Sequence, residues 1–235
     1  MKAAADFAVN GESLVALGAG ALYWPARETL IVSDLHFEKG SHFATRGVLL
    51  PPYDTRTTLR RLAALVRTHA PKSVISLGDA FHDGEAEARM DADDGAMLEA
   101  LVGAATWVWI LGNHDPAPPA RFAGAAERSL RLGRLLFRHE PATAKEPGEI
   151  AGHLHPAARV RAEGRVIRRR CFATDGDRLV MPAFGAYAGG LNVLDAAFAP
   201  LFASVTAYVL GAESVYAFFG DALVADPRRE RRRIV

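Results

Sequence analysis

Thr29-Leu30-Ile31-Val32-Ser33-Asp34-Leu35-His36 is an apolar run that ends in a carboxylate and an imidazole. The same design returns as Ser73-Val74-Ile75-Ser76-Leu77-Gly78-Asp79 and as Thr106-Trp107-Val108-Trp109-Ile110-Leu111-Gly112-Asn113-His114-Asp115. Short runs of β-branched and aromatic residues predict buried strands at 29–33, 73–77 and 106–111. Between them, residues 53–69 place Leu59, Leu62, Ala63, Leu65 and Val66 at helical spacing, with Asp54 or Thr55 as the expected cap. Residues 86–102 predict a second helix, with its acids in the first half, where the helix dipole favours them. Strand, helix, strand, helix, strand implies a parallel sheet covered by helices. Ligands of such sheets bind beyond the carboxyl ends of the strands. Three strands therefore deliver Asp34, His36, Asp79, Asn113 and His114 to one rim.

Working outward, the second half reads differently. Short strands are expected at 130–132, 135–138, 159–161, 166–167, 171–174 and 179–181, with a closing hairpin of 205–210 and 214–219 around Gly211-Ala212-Glu213. That pattern predicts a mostly antiparallel second sheet. Two further histidine blocks fall here: His139 after the apolar run 135–137, and Gly152-His153-Leu154-His155. Five of the eight histidines lie in these strand-end blocks. His, Asp and Asn are nitrogen and oxygen ligands that suit Mn, Fe or Zn rather than Cu(I) or an iron–sulfur cluster.

The whole chain has 235 residues, 50% hydrophobic and 23% charged, a composition that excludes a disordered or fibrous protein. We expect a single domain over 1–227 and a flexible basic tail over 228–235. The one cysteine, Cys171, excludes a disulfide framework or a Cys-based zinc finger and fits a reducing, cytoplasmic setting. Residues 1–9 lack the charged-then-apolar pattern of a secretory signal. The longest late charge-free stretch, 196–212, is shorter than the roughly 20 residues that span a bilayer and contains Pro200, so no membrane association is expected. The formal charge of +1 argues at face value against a nucleic-acid partner. Yet it sums a first half, 1–127, at −5 and a second half, 128–235, at +6. The second half holds two arginine clusters: six Arg within 159–170 and five within 228–233. Such runs bind phosphate backbones, with strongly salt-dependent affinity.

Taken in order, Asp34-x-His36, Gly78-Asp79, Gly112-Asn113-His114-Asp115, His139 and Gly152-His153-x-His155 resemble the motif set of the calcineurin-like metallophosphoesterases. The blocks Ser33 to Gly40, Arg46-Gly47, Leu50 to Thr55, Gly78 to Asp83 and Pro182 to Gly185 are similar to the bacterial ligase-associated DNA damage response phosphoesterases, the PdeM family. The resemblance implies an α/β fold, a four-layer α/β/β/α sandwich of two mixed sheets. It implies that Asp34, His36, Asp79 and His155 hold one divalent metal and that Asp79, Asn113, His139 and His153 hold a second, with Asp79 shared. Two cations about 3.5–4 Å apart share a hydroxide and clamp a phosphate in line. Mn²⁺ is the expected metal, with Fe or Zn as alternatives. The resemblance places His114 beside the phosphate, either as a general acid, help worth about 10²–10⁴-fold, or as a group that steadies the transition-state charge.

Asp115 is expected either to orient the His114 ring or to cap the turn at Pro116. His82 is expected either behind a metal ligand or at the substrate, against a plain loop role, and Arg46 at the substrate, against a solvated one. His42 and His69 read as helix-surface residues. Residues 184–190, with three glycines, either return to the rim or form a simple turn. Family members often carry Gly after the histidine at 139, where this chain has Glu140-Pro141, and Glu where this chain has Asp115. The expected activity is phosphodiester hydrolysis, with an endonuclease of DNA repair as the form the resemblance favours and DNA ligase or helicase as partners. The rivals are a hydrolase of cyclic nucleotides or small nucleotide diesters, a non-catalytic scaffold, and a nucleic-acid-binding module with structural metals.

Overall fold

The computed structural model describes residues 4–227 apart from 163 and 213. The basic tail at 228–235 lies outside the described residues. Seven strands form the first sheet in chain order: β1 (Ala4–Val9), β2 (Glu12–Leu17), β3 (Leu22–Trp24), β4 (Thr29–Val32), β5 (Ser73–Leu77), β6 (Thr106–Ile110) and β7 (Ala125–Glu127). β1 to β4 meander antiparallel, whereas β4, β5, β6 and β7 pair in parallel. The three apolar runs are thus adjacent, and their carboxyl ends open on one edge.

Four helices connect them: α1 (Lys39–Thr45), α2 (Asp54–His69), α3 (Ala86–Arg89) and α4 (Ala92–Gly103). The helix expected over 86–102 is broken. Met90 is extended, and the Asp91 side chain accepts from the Asp93 N–H at 2.9 Å, starting α4 afresh. Asp54 and Thr55 do not cap α2. They are buried and reach back to the loop after His36: Asp54 accepts from the Gly40 N–H, and Thr55 Oγ1 accepts from the Glu38 N–H.

The second sheet holds β8 (Ser129–Leu132), β9 (Leu135–Arg138), β10 (Glu149–Ala151), β11 (Ala157–Ala162), β12 (Arg165–Thr174), β13 (Leu179–Val180), β14 (Thr206–Leu210), β15 (Val215–Phe219) and β16 (Leu223–Val224). It is mostly antiparallel, as expected, and mixed because β10 pairs in parallel with both β9 and β13. The separate strands expected at 166–167 and 171–174 are one long strand, β12. Its arginines at 168–170 hide the continuity from a reading of apolar runs.

Three cores explain the layering. Leu59, Leu62, Leu98 and Leu101 of α2 and α4 cover Leu30, Val32, Val74 and Trp107 on one face of the first sheet. Ile31, Ile75, Leu77 and Ile110 on its other face meet Phe137, Ile150, Phe172 and Met181 of the second sheet. Burial on both faces is why the first-sheet strands are apolar at nearly every position. On the outer side of the second sheet, Ala158, Val160, Cys171 and Ala173 pack against Phe198, Leu201 and Phe202. The fourth layer of the α/β/β/α sandwich is therefore the turn-built segment 193–202 in place of a long helix. No helix among the described residues is long and apolar enough to cross a membrane.

Candidate metal centre

The ligand loops are aligned by backbone pairing that continues past the strand ends. The Asp34 N–H donates to the Gly78 carbonyl at 3.2 Å, the His36 N–H to Asp79 at 2.9 Å and the Phe37 N–H to Ala80 at 2.8 Å. Leu35 and Phe37 are driven inward, which leaves Asp34 and His36 on the opposite side. Asp34, His36, Asp79, His153 and His155 all take positive φ, between 45° and 67°. A non-glycine residue held there costs about 1 kcal/mol or more, and such strain collects at functional sites. Gly112 lets the third loop close: a Cβ there would collide with the Asp79 backbone and carboxylate. Gly152 does the same for the fourth, lying against Ser33 Oγ and the Asp34 carboxylate.

Two groups of donor atoms result. His155 Nε2 lies 3.1 Å from Asp34 Oδ1 and 3.3 Å from His36 Nε2. In the second group, His139 Nε2 and His153 Nδ1 each lie 2.9 Å from Asn113 Oδ1 and 3.2 Å from one another. Asp79 Oδ2 stands between the groups, 3.9 Å from His36 Nε2 and 3.4 Å from His139 Nε2. The His139 Nδ1–H donates to the Leu77 carbonyl at 2.9 Å, so Nε2 of the neutral ring is a lone pair facing the Asn113 and Asp79 oxygens. Acceptors that converge on one another need a cation between them, and these donor sets fit divalent metals. Asp34, His36 and His155 would hold one, and Asn113, His139 and His153 the other, with Asp79 in reach of both.

The charges say the same. Asp34 and Asp79 are buried, which by itself would raise their pKa values. Bonds and charges from His155 and Ser33 for Asp34, and from His139 and the His114 N–H for Asp79, outweigh burial and hold both below the ordinary carboxylate range. Burial also opposes a charge on His139, but the bond to Asp79 and the charges of Asp34 and Asp79 lift it to about 9. In the metal-free chain, a proton on His139 thus takes the part of a cation. Burial holds His36 down to about 3 despite both carboxylates, and lowers His153 as well.

His114 stands exposed at the mouth. Its N–H donates to Asp79 Oδ1 at 2.9 Å, and its Nδ1–H to the His82 carbonyl at 2.8 Å. Nδ1 is therefore committed, and Nε2 is the atom left for a substrate. The ring-orienting contact expected of Asp115 is made by His82 instead. The Asp115 carboxylate accepts from the Asp79, Ala80, Phe81 and Gly112 N–H groups at 2.7–3.2 Å, clamping the second and third ligand loops together. Burial, with the charge of Asp79 adding to it, raises Asp115 to about 6 against those bonds.

Of the places expected for His82, the structure shows the one behind a ligand. His82 is 8% exposed, and its Nδ1 lies 3.4 Å from His36 Nδ1, within reach of the N–H that the ligating His36 tautomer carries. The reading of His42 as a surface residue is also corrected: its ring packs edge-on against His82, and Nδ1 lies 2.6 Å from Asp83 Oδ2. Arg46 is exposed at the end of α1, and among the described residues its side chain makes no hydrogen bond or ion pair to the ligand loops. The segment 184–190 does return to the rim. The Phe184 N–H donates to the Ser33 carbonyl at 2.7 Å and the Gly185 N–H to Asp34 at 3.0 Å, while Gly190 lies against the His155 backbone. Ser33 went unassigned as a contributor; its Oγ–H donates to Asp34 Oδ2 at 2.5 Å. The only trace of that role in the sequence is its place beside Asp34.

The family model for calcineurin-like phosphoesterases matches residues 28–170. The crystal structure of Pseudomonas putida nuclease MPE superposes with a TM-score of 0.68 at 29% identity, over 92% of this chain and 100% of that one. Yfce, a phosphoesterase from E. coli, aligns with a TM-score of 0.39 at 15% identity over 84% of this chain and 98% of its own. No curated protein matches. The family match spans more than half of the chain and includes every ligand loop, so the protein belongs to the calcineurin-like phosphoesterase family.

Proposed function

We propose that this chain is a dinuclear, manganese-dependent phosphodiesterase that cleaves DNA strands internally, an endonuclease of cytoplasmic DNA repair working beside a DNA ligase and helicase. The observation that carries the reading is Asp79 Oδ2, set between His36 Nε2 at 3.9 Å and His139 Nε2 at 3.4 Å, one ring from each donor group. A divalent pair, when bound, supplies Lewis-acid polarisation of the phosphoryl oxygens and a hydroxide nucleophile near neutral pH. The chain supplies the rest. Asp34 and Asp79 bring two negative charges, and Asn113 is a neutral ligand, so two divalent cations leave a positive surplus for an anionic diester. His114 Nε2, protonated, donates to the departing alkoxide, while its Nδ1–H holds the ring on the His82 carbonyl. Asn113 and His114 are exposed, which suits an extended substrate laid across the rim. The likeness to a nuclease over nearly the whole chain supports a nucleic-acid substrate.

The test is to strip the protein with chelator, restore Mn²⁺, and assay bis-p-nitrophenyl phosphate, p-nitrophenyl phosphate, and single- and double-stranded DNA side by side. Mn²⁺-dependent cleavage of the diester and of DNA is expected. No turnover of any diester overturns the enzyme. Turnover of the small diester without DNA cleavage leaves a hydrolase of small nucleotide diesters.

A further inference from the structure

The arginine run at 159–170 is one β-hairpin, β11 and β12, rooted two residues after His155. Its register sorts the side chains by face: Ala157 opposes Arg170, Arg159 opposes Arg168, and Arg161 opposes Val166. In β12, Cys171 and Ala173 belong to the outer core, and Phe172 points the other way, into the core between the sheets. Ala158 and Val160 of β11 also belong to the outer core. Alternation then puts Arg159, Arg161, Arg168 and Arg170 on the inner face, in line with Phe172, and Arg165 and Arg169 on the outer face.

That inner face meets the rim through the segment 183–190. Arg170 Nη1 donates to the Ala183 carbonyl at 2.6 Å, and Arg168 Nη2 to the Gly190 carbonyl at 2.5 Å. Ala183 and Gly190 flank the residues that bond Ser33 and Asp34, and Gly190 itself lies against His155. Four guanidinium groups thus lead away from the first donor group. Among the described residues, the ion pairs of these four go to one carboxylate, Asp226, which lies 3.9 Å from Arg159 Nε and 3.7 Å from Arg168 Nε. Toward the tip, Arg161 and Arg168 are exposed.

We propose that the inner face of this hairpin is the track for a nucleic-acid strand leaving the metal centre, with Arg161 and Arg168 binding phosphates beyond the scissile one. A phosphate backbone is the partner that matches a row of arginines with little acidic compensation. The proposal rests on the nucleic-acid reading above and adds the path of the strand.

The two faces provide an internal control, because Arg161→Gln/Arg168→Gln and Arg165→Gln/Arg169→Gln remove the same charge. Fluorescence anisotropy of a labelled 20-nucleotide single strand, with the full chain in chelator, gives affinity at several salt concentrations. The inner pair is expected to weaken binding about tenfold at 0.1 M salt and to flatten the slope of log K against log salt by roughly 1.4, which is two single-strand contacts. The outer pair is expected to change affinity less than about twofold, by loss of net charge alone. Arg161→Lys/Arg168→Lys is expected to restore the slope, which separates lost charge from a damaged fold. With Mn²⁺ restored, the outer pair is expected to hydrolyse bis-p-nitrophenyl phosphate at the rate of the unaltered chain. Equal losses from both pairs, or none from the inner one, overturn the track. An unaltered chain that turns over the small diester but neither binds nor cleaves the oligonucleotide overturns the nucleic-acid reading itself.

Discussion

The ligand rim and the arginine hairpin are neighbours built on opposite plans. At the rim, Asp34 and Asp79 are 0% and 2% exposed, the residues around them sit at positive φ, and two glycines admit backbone where no side chain fits. Each ligand is fixed by several contacts at once. On the hairpin, the pleat sets the face of each arginine, and the exposed guanidinium groups are held by at most a few single contacts such as Arg168 to Gly190. Chemistry requires atoms held to a few tenths of an ångström, and only a buried, mutually crowded set supplies that. Attraction for a polyanion needs only summed charge, which tolerates motion and loss of individual members. Substitution costs should therefore be abrupt at the rim and graded on the hairpin.

The largest expected effect is Asp79→Asn. It removes the carboxylate that stands between the Nε2 atoms of His36 and His139, so Mn²⁺-dependent turnover should vanish and calorimetry should show at least one binding event lost. Retained activity would mean that the two groups do not share a ligand. His114→Ala comes next. Its ring is exposed, and its bond to Asp79 comes from the backbone N–H, which alanine keeps. Turnover should fall roughly 10²–10⁴-fold with metal content unchanged, and less for a diester whose leaving group needs no proton. Metal loss in parallel with turnover would make it a structural part of the rim.

The first sheet was legible because burial on both faces leaves apolar runs, and the ligands interrupt those runs at their ends. Asp34, His36, Asp79, Asn113, His139, His153 and His155 stand together for that reason. What stayed illegible depends on contacts between residues far apart in the chain. Asp115 reads locally as a turn cap or a partner for its neighbour. Only the fold brings the Asp79 to Phe81 backbone N–H groups to its carboxylate. For His82 the sequence leaves a place behind a ligand, a place at the substrate and a plain loop role open, and only the pairing of the two ligand loops sets it beside His36. β12 and the break at Met90-Asp91 were missed for a different reason. Arginines on a strand that runs beyond the sandwich erase its apolar pattern, and one aspartate cap restarts a helix without altering the composition.

Asp115→Ala tests whether the rim is over-determined in the sense argued above. It strips the acceptor from four backbone N–H groups, three of them within the loop that carries Asp79. Water entering the gap would satisfy some of these donors, so a net loss of about 2–4 kcal/mol is expected, from roughly 1–3 kcal/mol for each buried donor left without a partner. Denaturant unfolding in chelator would measure it. The paired hairpin variant Arg165→Gln/Arg169→Gln should stay within about 0.5 kcal/mol of the parent in the same assay. A comparable loss in both would erase the contrast between the two regions.

The chelated protein should also show a pH dependence, and it has a definite shape. His139 is lifted from 6.5 to about 9 in the fold, so its contribution to stability is complete below pH 6.5 and fades as the pH rises to about 9. His36 and His82, held down to about 3 and about 4 chiefly by burial, contribute fully above pH 6.5 and lose that contribution as the pH falls. These three rings therefore give the metal-free rim a stability maximum near pH 6.5, with an alkaline limb owed to His139 and an acid limb owed to the other two. His139→Asn should flatten the alkaline limb in thermal unfolding and leave the acid limb in place. Added Mn²⁺ should reverse the alkaline limb, since a metal that takes His139 Nε2 must displace the proton there and binds more tightly as that proton becomes easier to remove. The full profile should survive Arg161→Gln/Arg168→Gln unchanged. A profile that moved with the hairpin variant would mean that the two regions are electrostatically coupled, and the division between a fixed catalytic rim and an independent binding track would have to be given up.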